Sequence, residues 1–459
     1  MEIIDLQDIF LQITAQEQLL LLNRIPLNSI INYQRGYPFN MEIIEDAVIN
    51  NELISTIGIG HQRRPLFCDS LIDLGEKTID QLIKQNELIS SFYSSVSKVG
   101  KLALSDQLGN TLKNILFSEQ IMGMGLEYHS NLQEFGWDPP MLYRTDQSIN
   151  GKIFEIQAPG SGWGDIPFIF RVLSSLNGVD NRLEEYRQEY IEKYVKAIRK
   201  ITNQELPKVG HFLDASSNPV SMRYLLAITG NLIKYWGMDA QTNMEDLDCI
   251  ITHSVISILS LNMYEKYFEK ASNRKLLFVL PPNLLFDQKI IYVLPFLEIT
   301  KSYFSDEVRN LFPYTTYINN GGFLLEDNTF ITIDEFIRLP ESQRHYYLKY
   351  AGPNTNLNWG SRSVYRLNKR DSLLMLRNAD KLAQSGQVWI VQKDVTTDSD
   401  TCNDDYSRDI NEIIQGKNHI KLSAFYTPYD YLGCKVMFRN HYKVHGTSET
   451  YVGVGVCNE

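Results

Sequence analysis

Between residues 72 and 99 (IDLGEKTIDQLIKQNELISSFYSSVSKV) apolar positions recur at spacings of three and four, which predicts an amphipathic helix. Similar pieces elsewhere in 1–130 predict a helical N-terminal region. From 206 the period changes. KVGHFLD, DLDCIITH and KLLFVLPP read as buried strands, ASSNPVS as the turn after the first, and SMRYLLAITGNLIKYWG as a helix closed by Gly237. With a further helix at 255–271, the stretch 206–318 has the alternation of a small parallel α/β unit. A charged helix is expected near 181–202. Beyond 319 the pattern turns to hairpin-like strands: HYYLKYAG, SVYRL, QVWIVQKDV, HIKLSAFYT, CKVMFR, HYKVHG and TYVGVGV. The fold class is thus α/β and α+β, with regions 1–130, 131–205, 206–318 and 319–459. Residues 394–412 hold seven acidic side chains without an apolar period and are expected to form an excursion.

Composition narrows the function classes. With 459 residues and 43% hydrophobic content, the chain can bury the cores of two or three domains. No run reaches the roughly 18 apolar residues of a membrane span. A net charge of −11 without a long basic run argues against a nucleic-acid partner. The cysteines at 68, 249, 402, 434 and 457 are far apart and form no CxxC, so neither a disulfide framework nor a zinc site is expected. The opening MEIIDLQDIF lacks the basic start and cleavage site of a signal peptide. A cytoplasmic protein is expected.

The chemistry begins at 142–158, LYRTDQSINGKIFEIQA. Asn150-Gly151 predicts a two-residue type I′ turn. Pairing Ile149 with Lys152 then sets Asp146 opposite Glu155 and Arg144 opposite Gln157, all four on one face. Two opposed carboxylates repel unless a cation lies between them. Mg²⁺ would suit Asp146, Glu155 and the Gln157 carbonyl, with phosphates or water completing its shell. The alternative is a solvated surface hairpin in which Arg144 neutralises its neighbours.

A second constellation follows. Strand HYYLKYAG presents Lys349 and leads into GPNTNLNWGSRSV, where small residues such as Gly360 let backbone N–H groups approach phosphate oxygens. Asn356, Ser361 and Arg362 add donors there. QVWIVQKDV suits a buried linker whose backbone around Gln392 could meet an adenine edge, with Lys393 beside it. An ordinary loop and an ordinary core strand are the alternatives. His211, His253 and His345 lie in or beside apolar strands and read as core histidines.

In this order the pieces resemble the ATP-grasp superfamily, in the rearranged branch of glutathionylspermidine synthase. YRTD at 143–146 and FEIQ at 154–157 are similar to that branch's Arg-x-Asp and Glu-x-Asn strands, with Gln157 in place of the Asn. KVGHFLDASSNPVSMRYLLAI through KLLFVLPPNLLFDQK resembles its inserted pre-ATP-grasp α/β domain, LKYAGPNTNLNWGSRSV its lysine strand and Gly-rich loop, WIVQKDV its hinge, and TYVGVGVCNE its closing strand. The resemblance covers residues 60 to 459 and implies an ATP-dependent carboxylate–amine ligase working through an acyl phosphate. Its partners would be a small carboxylate and an amine, peptides among them, and its cofactors ATP and Mg²⁺. Asp146, Glu155 and Gln157 would hold the metal, and Arg144 and Arg362 would meet the transferring phosphoryl group. Lys349, Asn356, Gly360, Ser361, Gln392 and Lys393 would bind ATP, and Ser161 in APGSGWGD would contact the acid. For the Arg that in the family often follows the closing strand, the resemblance implies Arg439 or Lys421 as the residue that would take its place. A kinase on the same scaffold and a non-catalytic nucleotide-binding scaffold are the other two readings.

Overall fold

The computed structural model describes residues 39–40, 66–67, 71–117, 119, 126–132, 134–157, 162–176, 181–211, 225–226, 228–237, 247–252, 264–273, 275–354, 357, 363–395, 401–402, 418–439 and 451–457. The chain is a mixed α/β protein, and its largest sheet joins the two ends of the sequence. Short strands β1 (Phe39–Asn40), β2 (Leu66–Phe67) and β3 (Ile72–Asp73) come first, so the N-terminal region is not purely helical. The hairpin β4 (Tyr143–Gln147) and β5 (Ile153–Gln157) follows. Four parallel strands come next: β6 (Lys208–His211), β7 (Lys234–Gly237), β8 (Cys249–Ile251) and β9 (Leu277–Phe278), in the order β7-β6-β8-β9. KVGHFLD, DLDCIITH and KLLFVLPP thus do supply strands of one parallel sheet, with one correction to the reading of this stretch. KYWG was read as the last turn of a helix but is the edge strand β7. The chain turns at Thr229, whose carbonyl accepts from Leu232 and Ile233, and the β-branched and aromatic residues beyond it extend.

The third part supplies β10 (Thr315–Tyr317), the ribbon β11 (Gly322–Leu324) and β12 (Phe330–Thr332), then β13 (Tyr346–Tyr350), β14 (Val364–Arg366) and β15 (Trp389–Lys393). These form a second antiparallel sheet, β10-β15-β13-β14, beside the ribbon. A helix at Arg370–Gln384, absent from the strand reading, covers one face of that sheet with Leu376 and Ala379. Finally β16 (Thr401–Cys402), β17 (Asn418–Tyr426), β18 (Tyr431–Arg439) and β19 (Tyr451–Val456) return to the first sheet, whose main path runs β1-β2-β19-β18-β17-β4-β5.

Period-two alternation along β17 and β18 divides that sheet into two faces. Leu422, Ala424, Tyr426, Cys434, Val436 and Phe438 enter one core with the helix Glu76–Leu104. On that helix Leu82, Ile89, Phe92, Val96, Val99 and Ala103 make the buried stripe, at spacings of three, four and seven. Gln81 and Gln85 of the same helix donate to the carbonyls of Asn150 and Gly151 at 3.1 and 2.9 Å, pinning the hairpin turn. The other face carries Phe425, Met437, Val452, Val454 and Val456 into a second core with the helices Asp165–Leu176 and Asn181–Thr202. Polar side chains interrupt that second face, and they form the candidate site. Among the described residues, no helix is long and apolar enough to cross a membrane.

Candidate functional site

The hairpin reaches the expected register by an unexpected route. A type I′ turn needs positive φ at both central residues. Gly151 has φ 76°, but Asn150 is not among the residues with positive φ. Instead Gly151 N–H donates to the Ser148 carbonyl and Ser148 N–H to the Lys152 carbonyl, each at 3.0 Å, closing a three-residue loop. That loop shifts the pairing by one residue, so Gln147 faces Ile153. A bulge at Phe154 shifts it back. Asp146 therefore lies opposite Glu155 and Arg144 opposite Gln157, as the symmetric count required.

Ladder pairing extends this row across four strands. Glu155 on β5 faces Asp146 on β4, which faces Ser423 on β17, which faces Lys435 on β18. Asp146 is buried, and both its oxygens are taken. Oδ1 accepts from Ser423 Oγ at 2.7 Å and lies 3.3 Å from Arg144 Nε; Oδ2 accepts from Lys421 Nζ at 2.8 Å. Burial alone would push this carboxyl up, but Arg144, Lys421 and Ser423 outweigh it and hold it well below the usual carboxylate range. Glu155 pairs with Lys289 Nζ at 2.9 Å. At the far end of the row Lys435 Nζ donates to Asp165 Oδ2 at 2.5 Å, at the start of the helix Asp165–Leu176.

Lys349 enters from the other sheet. From the middle of β13 it donates to the Gln392 side-chain carbonyl at 2.6 Å and to the Phe154 carbonyl, at the bulge, at 3.4 Å. Gln392 is held in turn by donating to Thr315 Oγ1 at 3.2 Å. Burial, with smaller contributions from Lys289 and Lys421, lowers the Lys349 pKa to about 8 against the opposing pull of Glu155 and Asp146. Lys421 is lowered too, first by burial.

Of the residues singled out in the sequence, the structure thus gathers Arg144, Asp146, Glu155, Gln157, Lys349 and Gln392 at one place. It sets Lys393 apart. Alternation turns that side chain to the opposite face of β15 from Gln392, where it pairs with Glu326. Ser161, Asn356, Gly360, Ser361 and Arg362 lie outside the described residues, as do His253 and the side chain of Arg439. Of the two replacements considered for the family's Arg, Lys421 reaches Asp146. Sequence reasoning missed Lys289, Ser423, Lys435 and Asp165. Lys289 had a signal: it stands in FDQKIIYVL, where a charge among apolar residues needs a buried counter-ion.

The donor set bears on the metal expectation. Among the described residues no group of three or more His, Cys, Asp or Glu could hold an ion. Both Asp146 oxygens already accept from protein donors, so a cation would have to compete with Ser423, Lys421 and Arg144 there or rely on Glu155 and the Gln157 amide, beside Lys289 and Lys349. That arrangement does not fit a resident divalent ion. Among the described residues Arg144, Lys289, Lys349, Lys421 and Lys435 cluster here around Asp146, Glu155 and Asp165, and a cationic cluster of this kind fits an anion.

No protein-family model matches the chain, and no curated protein matches it. Among solved structures it is similar to a glutathione synthetase-like effector from Globodera pallida in its apo form, at 12% identity and a TM-score of 0.45, covering 86% of this chain and 90% of that one. At that distance the overlap assigns neither a family nor an activity.

Proposed function

We propose that this chain is an ATP-grasp-type protein whose cationic site binds the phosphates of ATP, and that it acts as an ATP-dependent carboxylate–amine ligase. The observation that carries the reading is the arrival of Lys349, from a second sheet, on the hairpin that presents Arg144, Asp146 and Glu155. In the proposed reaction a carboxylate oxygen of the acid attacks the γ-phosphorus, the bond to ADP breaks, and an acyl phosphate forms. An amine then attacks the acyl carbon, inorganic phosphate leaves, and the amine gives up a proton as the amide forms. Such chemistry asks the protein mainly to position groups and to neutralise charge on phosphoryl oxygens. Lys349 and Lys289 would do so from the β5 edge and Arg144 from β4, its planar guanidinium suited to phosphate oxygens. Lys421 would act through Asp146 as a positioning residue.

The test is hydroxylamine capture. With ATP and the right acid, a ligase yields a hydroxamate together with ADP; a stable phosphorylated acid without hydroxamate points to a kinase instead. A second reading has its own support. With both Asp146 oxygens accepting from protein donors, and no metal-holding group of three or more His, Cys, Asp or Glu among the described residues, the site is also suited to holding a nucleotide without turning it over. Calorimetric ATP binding with no ADP released across a panel of acids and amines would select that reading.

A further inference from the structure

The proposed nucleotide site carries a charge pattern that bears on how the triphosphate is recognised. A site that depends on a divalent ion offers it unsatisfied carboxylate oxygens, and the ion then bridges protein and phosphate. Here the carboxylates are spent on the protein's own cations. Asp146 is closed by Arg144, Lys421 and Ser423; Glu155 holds Lys289; Asp165 holds Lys435. Among the described residues Lys349 hydrogen-bonds to neutral acceptors, the Gln392 side chain and the Phe154 carbonyl, with Glu155 close enough to act on its charge. Lys289 is buried, at 4% exposure, so its charge is poorly screened by solvent. Lysines crowded into low dielectric are destabilised by burial and by one another, and an entering anion relieves both.

Resting on the reading above, we infer that the site takes the triphosphate in its metal-free form, with Lys349, Lys289 and Arg144 as direct phosphate ligands and Asp146 as the counter-ion that orients Arg144 and Lys421. A triphosphate stripped of its divalent ion carries more negative charge than its Mg²⁺ complex. Against a positive site it is the better ligand. Mg²⁺ is then a competitor for the phosphates rather than a bridge.

Calorimetric titration of the full chain with ATP decides this, once with EDTA and once with excess Mg²⁺, at equal pH and ionic strength because exposed charge is screened by salt. Affinity in EDTA equal to or tighter than in Mg²⁺ is expected. Tighter binding in Mg²⁺, or binding only there, overturns the inference and leaves the ATP reading standing. Binding in neither overturns both. Lys421→Met frees one Asp146 oxygen, and is expected to weaken metal-free binding by roughly tenfold and to make Mg²⁺ favourable. Unchanged metal dependence in a folded variant counts against the inference. The wild-type comparison decides by itself if that variant does not fold.

Discussion

Lys349 donates to the Gln392 side-chain carbonyl across 2.6 Å, and both residues are buried. A neutral acceptor satisfies the ammonium's hydrogen bond without balancing its charge, so burial lowers its pKa to about 8. In the free protein Lys349 is therefore charged at neutral pH and loses its proton just above it. ATP affinity should fall as pH rises through about 8, and binding just above that pH should take up a proton. Calorimetry in buffers of different ionisation enthalpy reads that uptake. Lys349→Arg, whose charge persists beyond pH 12, should flatten the profile; a wild-type affinity indifferent to pH would show that Lys349 does not meet the anion. For stability the sign is opposite. The unfolded chain keeps this proton up to about 10.5 and the folded chain does not, so the group's contribution improves as pH rises from about 8 to 10.5.

Tyr292 holds the open edge of β5. Its hydroxyl accepts from Ile156 N–H at 2.6 Å and donates to the Ile156 carbonyl at 3.0 Å, satisfying both backbone groups that β4 does not reach. Tyr292→Phe keeps the ring, which stacks on Phe92 at 6.2 Å, and leaves both groups unpaired in the core. A loss of about 1–3 kcal/mol is expected from denaturant unfolding. A loss within a few tenths would mean that water replaces the hydroxyl.

How far the chain could be read follows from which constraints are local. Alternation and the Asn150-Gly151 dipeptide were enough to set Asp146 opposite Glu155, although the turn type was wrong. The count survived because the three-residue loop and the Phe154 bulge each shift the pairing by one, in opposite senses. Strand β13 and its lysine were legible from apolar pattern alone. Its partner was not, since the contact of Lys349 with Phe154 spans 195 residues and depends on how two sheets meet. Lys421 and Ser423, two apart in IKLSAFY, advertise a polar face on an apolar strand but not what they face. KYWG was misread because its apolar residues fit a helix period as well as a strand, and only its pairing with β6 decides.

His129 predicts an acid-sensitive step. The imidazole is buried against Phe117, with ring centres 4.7 Å apart, and burial lowers its pKa from 6.5 to about 4. Across that window the unfolded chain binds the proton and the folded chain resists it, so stability falls as pH drops from about 6.5 to 4. The share owed to this group is on the order of 3 kcal/mol at full titration. His129→Leu should lose less stability than the wild type over that range, measured by urea midpoints. Parallel profiles for the two proteins would assign the acid sensitivity to carboxylates instead.

The Lys289–Glu155 pair distinguishes a structural ion pair from a working one. Lys289 lies within a wholly buried segment, whereas the Glu155 side chain is 27% exposed, so the two partners do not lose equally when separated. Glu155→Gln removes one charged partner of a buried ammonium, with an expected cost up to the lower end of about 3–5 kcal/mol. Lys289→Met strands a carboxylate that can still reach water, and should cost less. The double variant should recover part of the loss, giving a favourable coupling in a double-mutant cycle. Binding should follow a different order. Glu155→Gln removes a negative charge beside the phosphates, so in a folded sample metal-free ATP should bind more tightly than to wild type, while Lys289→Met should weaken it. If both variants change affinity in the same direction, the pair only supports the hairpin and Lys289 is not a phosphate ligand.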